Sequence, residues 1–425
     1  MTALIFVGLP IVLLVLGMPI FVVLLVASVF GILHLGVGPL AAVHTAVFGG
    51  LDSFPLLAIP LFIYAGDVMA RGGIASRLIE MIMTVIGGIR GALGVATIGS
   101  AAAFGAMSGS SVACVAAIGK LTIPALVKSG YGRNFSVSMI TATGVIDVII
   151  PPSIPMIIYA VVAQQSVTLL FLAGIVPGLI IAAALAGYVV IRANALGIPI
   201  GPRPKLSVML NSIVRAGWAI FAPVLILGGI YGGIFTPTEA AGVACIYAIL
   251  VSVLIYRELT WADIWRMGVE SSVLIAQIMI LVAAASAYGW LITTSGFPAQ
   301  LVSHIDSLKL EPWLLLLVIN VVLLFVGSVL EPPPAILILA PLLTPLVAQA
   351  GIDPIHFGLI VTVNLAIGMF LPPFGLNLFA SNALFGTPLP VLYRGVIPFL
   401  LIYLAILVLL TYVPAITLAP IALLR

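Results

Sequence analysis

"GVIDVIIPPSIPMIIY", residues 144–159, lies in an apolar run of spanning length, yet it carries Asp147 and the pair Pro151–Pro152. Consecutive prolines remove two backbone donors and keep the preceding residue out of helical geometry, so a helix entering this stretch must stop. A helix broken inside a membrane leaves carbonyls and amides where no water can satisfy them, at several kcal/mol each. The chain does this twice. "MFLPPFGLN" (369–377) repeats "VIIPPSIPM" (148–156) 221 residues later. At the same spacing Pro124 meets Pro345, Gly130 meets Gly351 and Pro177 meets Pro398. Upstream the spacing becomes 223, pairing Gly73 with Gly296 and Leu78 with Leu301. Such a run of coincidences marks a duplication.

Composition sets the medium. Of 425 residues, 63% are hydrophobic and 6% charged, with a mean hydropathy of +1.38. Soluble domains carry about a quarter charged residues, so this is an all-α polytopic membrane protein with no room for a soluble domain. The first 35 residues lack a basic leader and a small-residue cleavage site, and they read as spans rather than a signal peptide. Cys114 and Cys245 suit apolar filling rather than a disulfide or metal set. His34, His44, His304 and His356 show no metal-ligand spacing. A net charge of +3 is what loop lysines and arginines give, so nothing points to nucleic acid.

Charge also orients the halves. The stretch 71–133 carries Arg71, Arg77, Arg90, Lys120, Lys128 and Arg133, whereas 294–354 has Lys309 as its sole base, with Asp306, Glu311, Glu331 and Asp353. Positive residues collect on the cytoplasmic side, so the matching segments face opposite sides and the repeats are inverted, an architecture of secondary transporters. The expected layout is a first repeat over 1–191, a cytoplasmic connector over 192–215 and a second repeat over 216–425. Spans are placed near 4–16, 19–35 and 53–70, with a surface or arm helix over 74–90. Each repeat has a re-entrant hairpin (about 92–127 and 313–349) and a Pro-Pro-broken helix (about 134–163 and 358–384). Tips fall at "SGSS" (108–111) and "GSVLEPPPA" (327–335).

Carbonyls that end half-helices suit Na⁺, and half-helix N-termini suit anions. In the first half Ser108, Ser110 and Ser111 would face Gly144 and Val145; in the second, Gly327 and Glu331 would face Asn364 and Gly368. Membrane serines also serve simply to bond their own backbone or to pack closely. Asp147 and Glu331 are expensive at depth and functional by default, although Asp147 could also pair locally or lie in an aqueous crevice. Asn377 belongs to "GLNLFASN", whose amides suit carboxylates or sugar hydroxyls but equally well join helices. No Walker A loop, Gly-x-Ser-x-Gly elbow or His-Glu-x-x-His motif is present, so the chain reads as no enzyme and as needing no cofactor.

"GAMSGSSVACVAAIGKLTIPALVKSGYGRNFSVSMITATG", "PPSIPMIIYAVVAQQSVTLLFLAGIVPG" and "PPPAILILAPLLTPL" resemble the large membrane subunit of tripartite ATP-independent periplasmic (TRAP) transporters, over essentially the whole chain. The resemblance implies a Na⁺-coupled importer of small organic anions such as C4-dicarboxylates, sialic acid or other sugar acids, in the bacterial inner membrane. It implies two partners, a small four-helix membrane subunit and a periplasmic substrate-binding protein. The fold it implies is an elevator, with a scaffold and a transport domain. By motif, Ser108, Ser110, Ser111, Gly144 and Val145 would form one Na⁺ site, and Gly327, Asn364 and Gly368 the other. Ser153, Ser166, Glu331 and Asn377 fall on the substrate side. Two positions depart from the family pattern: Glu331, where Asp is more usual, and Asp147, where a small residue is. The alternatives are a stand-alone Na⁺- or H⁺-coupled carboxylate carrier on the same fold and, further off, an ion channel.

Overall fold

The computed structural model describes residues 4–201, 203–307 and 311–422, which fold into helices joined by short turns. Lys309 and the side chains of His304 and Asp306, used in the charge and histidine readings, lie outside the described residues. Among the described residues eight helices are long and apolar enough to cross a membrane. The count is nine if Leu206–Arg215 and Gly217–Tyr231, bent by 60°, form one span. The chain is therefore a multi-pass membrane protein.

The longest helix, Trp261–Thr294, has 34 residues and so extends about 51 Å, beyond a hydrocarbon layer of about 30 Å. Its start is fixed by a reciprocal cap. The Asp263 amide donates to Thr260 Oγ1 at 3.2 Å, and the Thr260 amide donates to the Asp263 carboxylate at 2.9 Å. Thr236 and Glu239 cap Pro237–Leu250 in the same way. These caps occupy amides that would otherwise be orphaned at helix starts.

Two sets of helices pack around these. In the first, Ala58–Arg71 lies along Pro237–Leu250, and Trp261–Thr294 runs across Ile20–Leu35, Ala41–Leu51 and Ala58–Arg71. Tyr64 donates to the Ile264 carbonyl at 3.0 Å, tying two of these helices together. In the second, two helix pairs are each interrupted for two residues: Ala92–Ser108 with Ser111–Lys128, and Pro312–Val329 with Pro332–Gln349. The interruptions, and the starts and ends of the second arms, stand 221 residues apart. Each pair is followed by an interrupted span. One comprises Arg133–Thr143, a short 3₁₀ turn Gly144–Val148 and Ile154–Val162; the other comprises Pro354–Gly368 and Leu376–Phe385.

Each second arm packs on the interrupted span of its own half and also reaches into the other half. Ser111–Lys128 packs on Leu376–Phe385, while Pro332–Gln349 packs on Ile154–Val162. Neither half of the sequence covers its own apolar surface without the other.

Three details differ from the sequence reading. A helix, Ala41–Leu51, precedes the span at 54–71. The helix placed over 74–90 ends at Val85. The connector 192–215 is largely helical, because Val167–Ala195 runs into it and Leu206–Arg215 forms an exposed helix within it; its basic residues drew a loop assignment and hid its apolar ones.

Gly358 gives a direct test of this packing. A Cβ there would strike the Tyr159 ring and come within 2.9 Å of Leu170, whereas one on Gly187 would meet nothing. Gly358→Ala should lower the thermal midpoint of the purified protein, with a penalty of about 1–3 kcal/mol for overpacking. Gly187→Ala should leave it unchanged or raise it, since alanine favours a helix over glycine by about 1 kcal/mol.

Candidate functional site

The first interruption is built on Gly109, whose φ of +64° places it in the left-handed region. A Cβ on Gly109 would lie 3.2 Å from the Pro152 carbonyl oxygen, so the turn rests against the proline pair of the neighbouring span. Ser108 and Ser111 are buried and Ser110 is half-buried. On the other side the turn meets Gly66 of Ala58–Arg71, where a Cβ would be 3.0 Å from Ser108 Cα. The hairpin tip is thus held between a broken span and a helix of the first set, touching both through glycine.

The second interruption is tighter. A Cβ on Gly368 would land on the carbonyl of Gly327, so here two backbones meet without side chains between them. Gly327, Asn364 and Gly368 are buried together, as are Gly144 and Val145 below the first tip. At Gly144 the nearest atoms include the Ser111 carbonyl oxygen, 3.3 Å from a Cβ built there, and Asn377 Nδ2, 3.5 Å away.

Two asparagines join these places. Asn364 Nδ2 donates to the Ile360 carbonyl at 2.8 Å and to Asn320 Oδ1 at 2.8 Å. Asn320 in turn donates to Thr411 Oγ1 at 3.0 Å. Asn377 Nδ2 donates to Ser111 Oγ at 2.6 Å and to the Thr141 carbonyl at 3.2 Å, crossing from the second half to the first. Backbone carbonyls accept only, so in both residues the nitrogen must face them. The amide oxygens of Asn364 and Asn377 are left fully buried without a partner. Oriented, dry carbonyl oxygens of this kind are what a hard cation takes.

Between the two tips lies a cavity of about 440 Å³. One wall is formed by Ser108–Ala113, Glu331–Pro333 and the first residues of the two far half-helices, Ile154 and Leu376. The other is formed by Asp67 and Arg71 of Ala58–Arg71 and by Glu270 and Ser271 of Trp261–Thr294. Arg71 pairs with Asp67 at 2.9 Å and with Glu270 at 2.7 Å. The tips offer unequal chemistry to this space. Ser111–Lys128 begins with free amides, while Pro332–Gln349 begins with three prolines and has none in its first turn.

Other residues singled out in the sequence lie elsewhere. Ser153 is buried beside the break, donates to the Val148 carbonyl at 2.6 Å and caps Ile154–Val162. Ser166 is exposed and caps Val167–Ala195. Neither lines the cavity, and nor does Asn377, the other residue placed on the substrate side, which is fully buried. Asp147 is fully buried, which removes the aqueous-crevice reading. His34 and His44 lie against Phe30 and Phe48, His356 bonds Thr417 and the Thr411 carbonyl, and both cysteines are buried and free. Among the described residues no His, Cys, Asp and Glu cluster is suited to a metal. Sequence reasoning passed over Asn320, although it is the only polar residue in the first fifteen positions of the otherwise apolar helix Pro312–Val329.

Comparison with known proteins agrees with this architecture. Residues 7–416 match the family model for the DctM component of tripartite ATP-independent periplasmic transporters. The C4-dicarboxylate TRAP transporter large permease protein of Pseudomonas aeruginosa is 42% identical over 88% of this chain and 87% of its own. The isethionate TRAP transporter permease protein of Oleidesulfovibrio alaskensis is 40% identical over 92% of this chain, which spans 62% of that longer relative. The YdaH transporter of Alcanivorax borkumensis shares the fold, with a TM-score of 0.65 at 14% identity over 88% of each chain.

The Asn377 bridge can be measured by itself. Asn377→Ala leaves the Thr141 carbonyl and Ser111 hydroxyl short of a donor and should destabilise the protein by about 1–3 kcal/mol. Ser111→Ala should cost less, because Asn377 keeps its bond to Thr141. In a double-mutant cycle the two should couple by about 0.5 kcal/mol or more; strict additivity in thermal unfolding would show that the bridge carries no energy.

Proposed function

The chain belongs to the DctM component family of tripartite ATP-independent periplasmic transporters, as a large permease subunit, and from that premise we propose that it imports a small organic anion driven by Na⁺ across a bacterial inner membrane. The observation that carries this reading is the cavity between the two helix interruptions, with an unpartnered asparagine oxygen near each tip. One Na⁺ is held below the first tip, by Ser108, Ser110, Ser111, Gly144 and Val145 with Asn377 beside them. A second is held by Gly327, Asn364 and Gly368. The substrate binds between them. Its anionic group is received by the amides that open Ser111–Lys128, since the proline-rich opposite tip has none to give. Glu331, on that opposite tip, orients polar groups of the substrate.

In this reading the halves are inverted repeats. The interrupted helices form a transport domain that slides as an elevator against a scaffold containing Ala58–Arg71, Pro237–Leu250 and Trp261–Thr294. Na⁺ neutralises buried oxygens that would otherwise resist crossing the apolar layer, which couples ion to substrate. A small four-helix membrane subunit extends the scaffold, and a periplasmic binding protein delivers the substrate. The relatives act on a C4-dicarboxylate and on isethionate by name, and both are small organic anions, the class proposed here.

The test is uptake into proteoliposomes containing this chain and its small partner, with binding proteins loaded with labelled dicarboxylates, isethionate or sialic acid. Uptake should require both an inward Na⁺ gradient and one cognate binding protein. Uptake without any binding protein would favour a stand-alone carrier, and uptake indifferent to Na⁺ would remove the coupling ion. Single Ala substitutions at Ser108, Ser111 or Asn364 should reduce uptake by about tenfold, the equivalent of about 1.4 kcal/mol in a bound ligand, with unchanged expression.

A further inference from the structure

Asp147 sits in the 3₁₀ turn Gly144–Val148, directly under the first hairpin tip, and is fully buried. The amides of Gly109 and Ser110 face its carboxylate but close no hydrogen bond, and both carboxylate oxygens are without a partner. Among the described residues no ion pair includes it. The nearby titratable group is Cys114, itself buried. The packing makes room for this side chain: a Cβ on Gly105 would come within 2.8 Å of Asp147 Cα and 3.2 Å of Oδ1. At the corresponding place 221 residues later stands Gly368, which has no side chain and presses on Gly327.

An ionised carboxylate without a partner in a dry interior is prohibitively expensive, so a buried one takes up a proton, is paired or coordinates a cation. A small hard cation is the partner that this oxygen-rich break can hold.

We propose that Asp147 is a direct ligand of the coupling cation at the first interruption, so that this cage holds its ion by formal charge while the cage at Gly327, Asn364 and Gly368 holds its own by dipoles alone. The proposal rests on the sodium reading above and adds to it an inequality between the two ions. The first cage binds tightly and fills first. The second fills weakly and is the one whose occupancy follows the external Na⁺ concentration.

The experiment is equilibrium binding of radiolabelled Na⁺ to the full chain in lipid nanodiscs, with thermal unfolding as a check on folding. Wild type should show two classes of sites separated by about tenfold or more in affinity. Asp147→Asn and Asp147→Gly, the latter installing the residue the repeat carries, should each remove the tight class and keep the weak one. Asn364→Ala should do the reverse. Two equal sites in the wild type, or a tight class that survives in either folded Asp147 variant, would overturn the proposal. The latter is the result expected if Asp147 is a neutral carboxylic acid. Absence of any Na⁺ binding to wild type would instead remove the sodium reading itself.

Discussion

Backbone groups freed inside an apolar medium are the constraint on which this structure turns. Four places among the described residues, the two hairpin tips and the two proline breaks, stop a helix where water is scarce, and each leaves carbonyls and amides that must be met from within. The protein meets them by bringing the stops together. The Gly109 turn rests on the Pro152 carbonyl, Gly368 rests on Gly327, and the Asn377 amide reaches from one half to the Thr141 carbonyl of the other. Glycine at these contacts allows backbones to approach where any side chain would hold them apart. The cavity is what remains once those debts to hydrogen bonding are settled.

Electrostatics in the cavity follow from where solvent reaches. Arg71, Asp67 and Glu270 line it as an ion triad, yet the side chains of Arg71 and Glu270 are about half exposed, at 50% and 46%. Screening makes such pairs weak contributors to stability. Their effect is to fix one wall and to leave that wall with an excess of acid. The opposite wall presents the backbone amides that open Ser111–Lys128 and no basic side chain. Away from the cavity, Arg77 reaches Glu258 at 2.5 Å and stacks 3.9 Å over Tyr256.

Much of this was legible in the sequence because it depends on local chemistry. Apolar runs announce membrane helices, and the proline pairs at 151–152 and 372–373 stop a helix regardless of what surrounds them. Ala41–Leu51 was not legible, since its histidine, threonine and glycines blur an apolar pattern that is already short. Leu206–Arg215 was hidden because basic residues near it drew a loop assignment. Among the candidate site residues, Ser153 and Ser166 have local roles as caps that sequence could have offered, since each stands just before a helix. The partners of Asn377 lie 236 and 266 residues away and those of Asn364 include one 44 residues away. Such pairings depend on the folded arrangement, and no periodicity records them.

The reach of each second arm into the other half has a consequence for how the protein is made. Ser111–Lys128 leaves the ribosome roughly 250 residues ahead of Leu376–Phe385, the helix it packs against, an interval of roughly 10–50 s at ordinary synthesis rates. During that time the first half sits in the bilayer with one face lacking its protein neighbour, and lipid or a membrane chaperone must cover it. The finished arrangement is reached only when the last quarter of the chain inserts. A nascent chain that stalls before residue 376 therefore presents the cell with an open hairpin, and is distinguishable from a completed molecule by membrane proteases long before any transport is attempted.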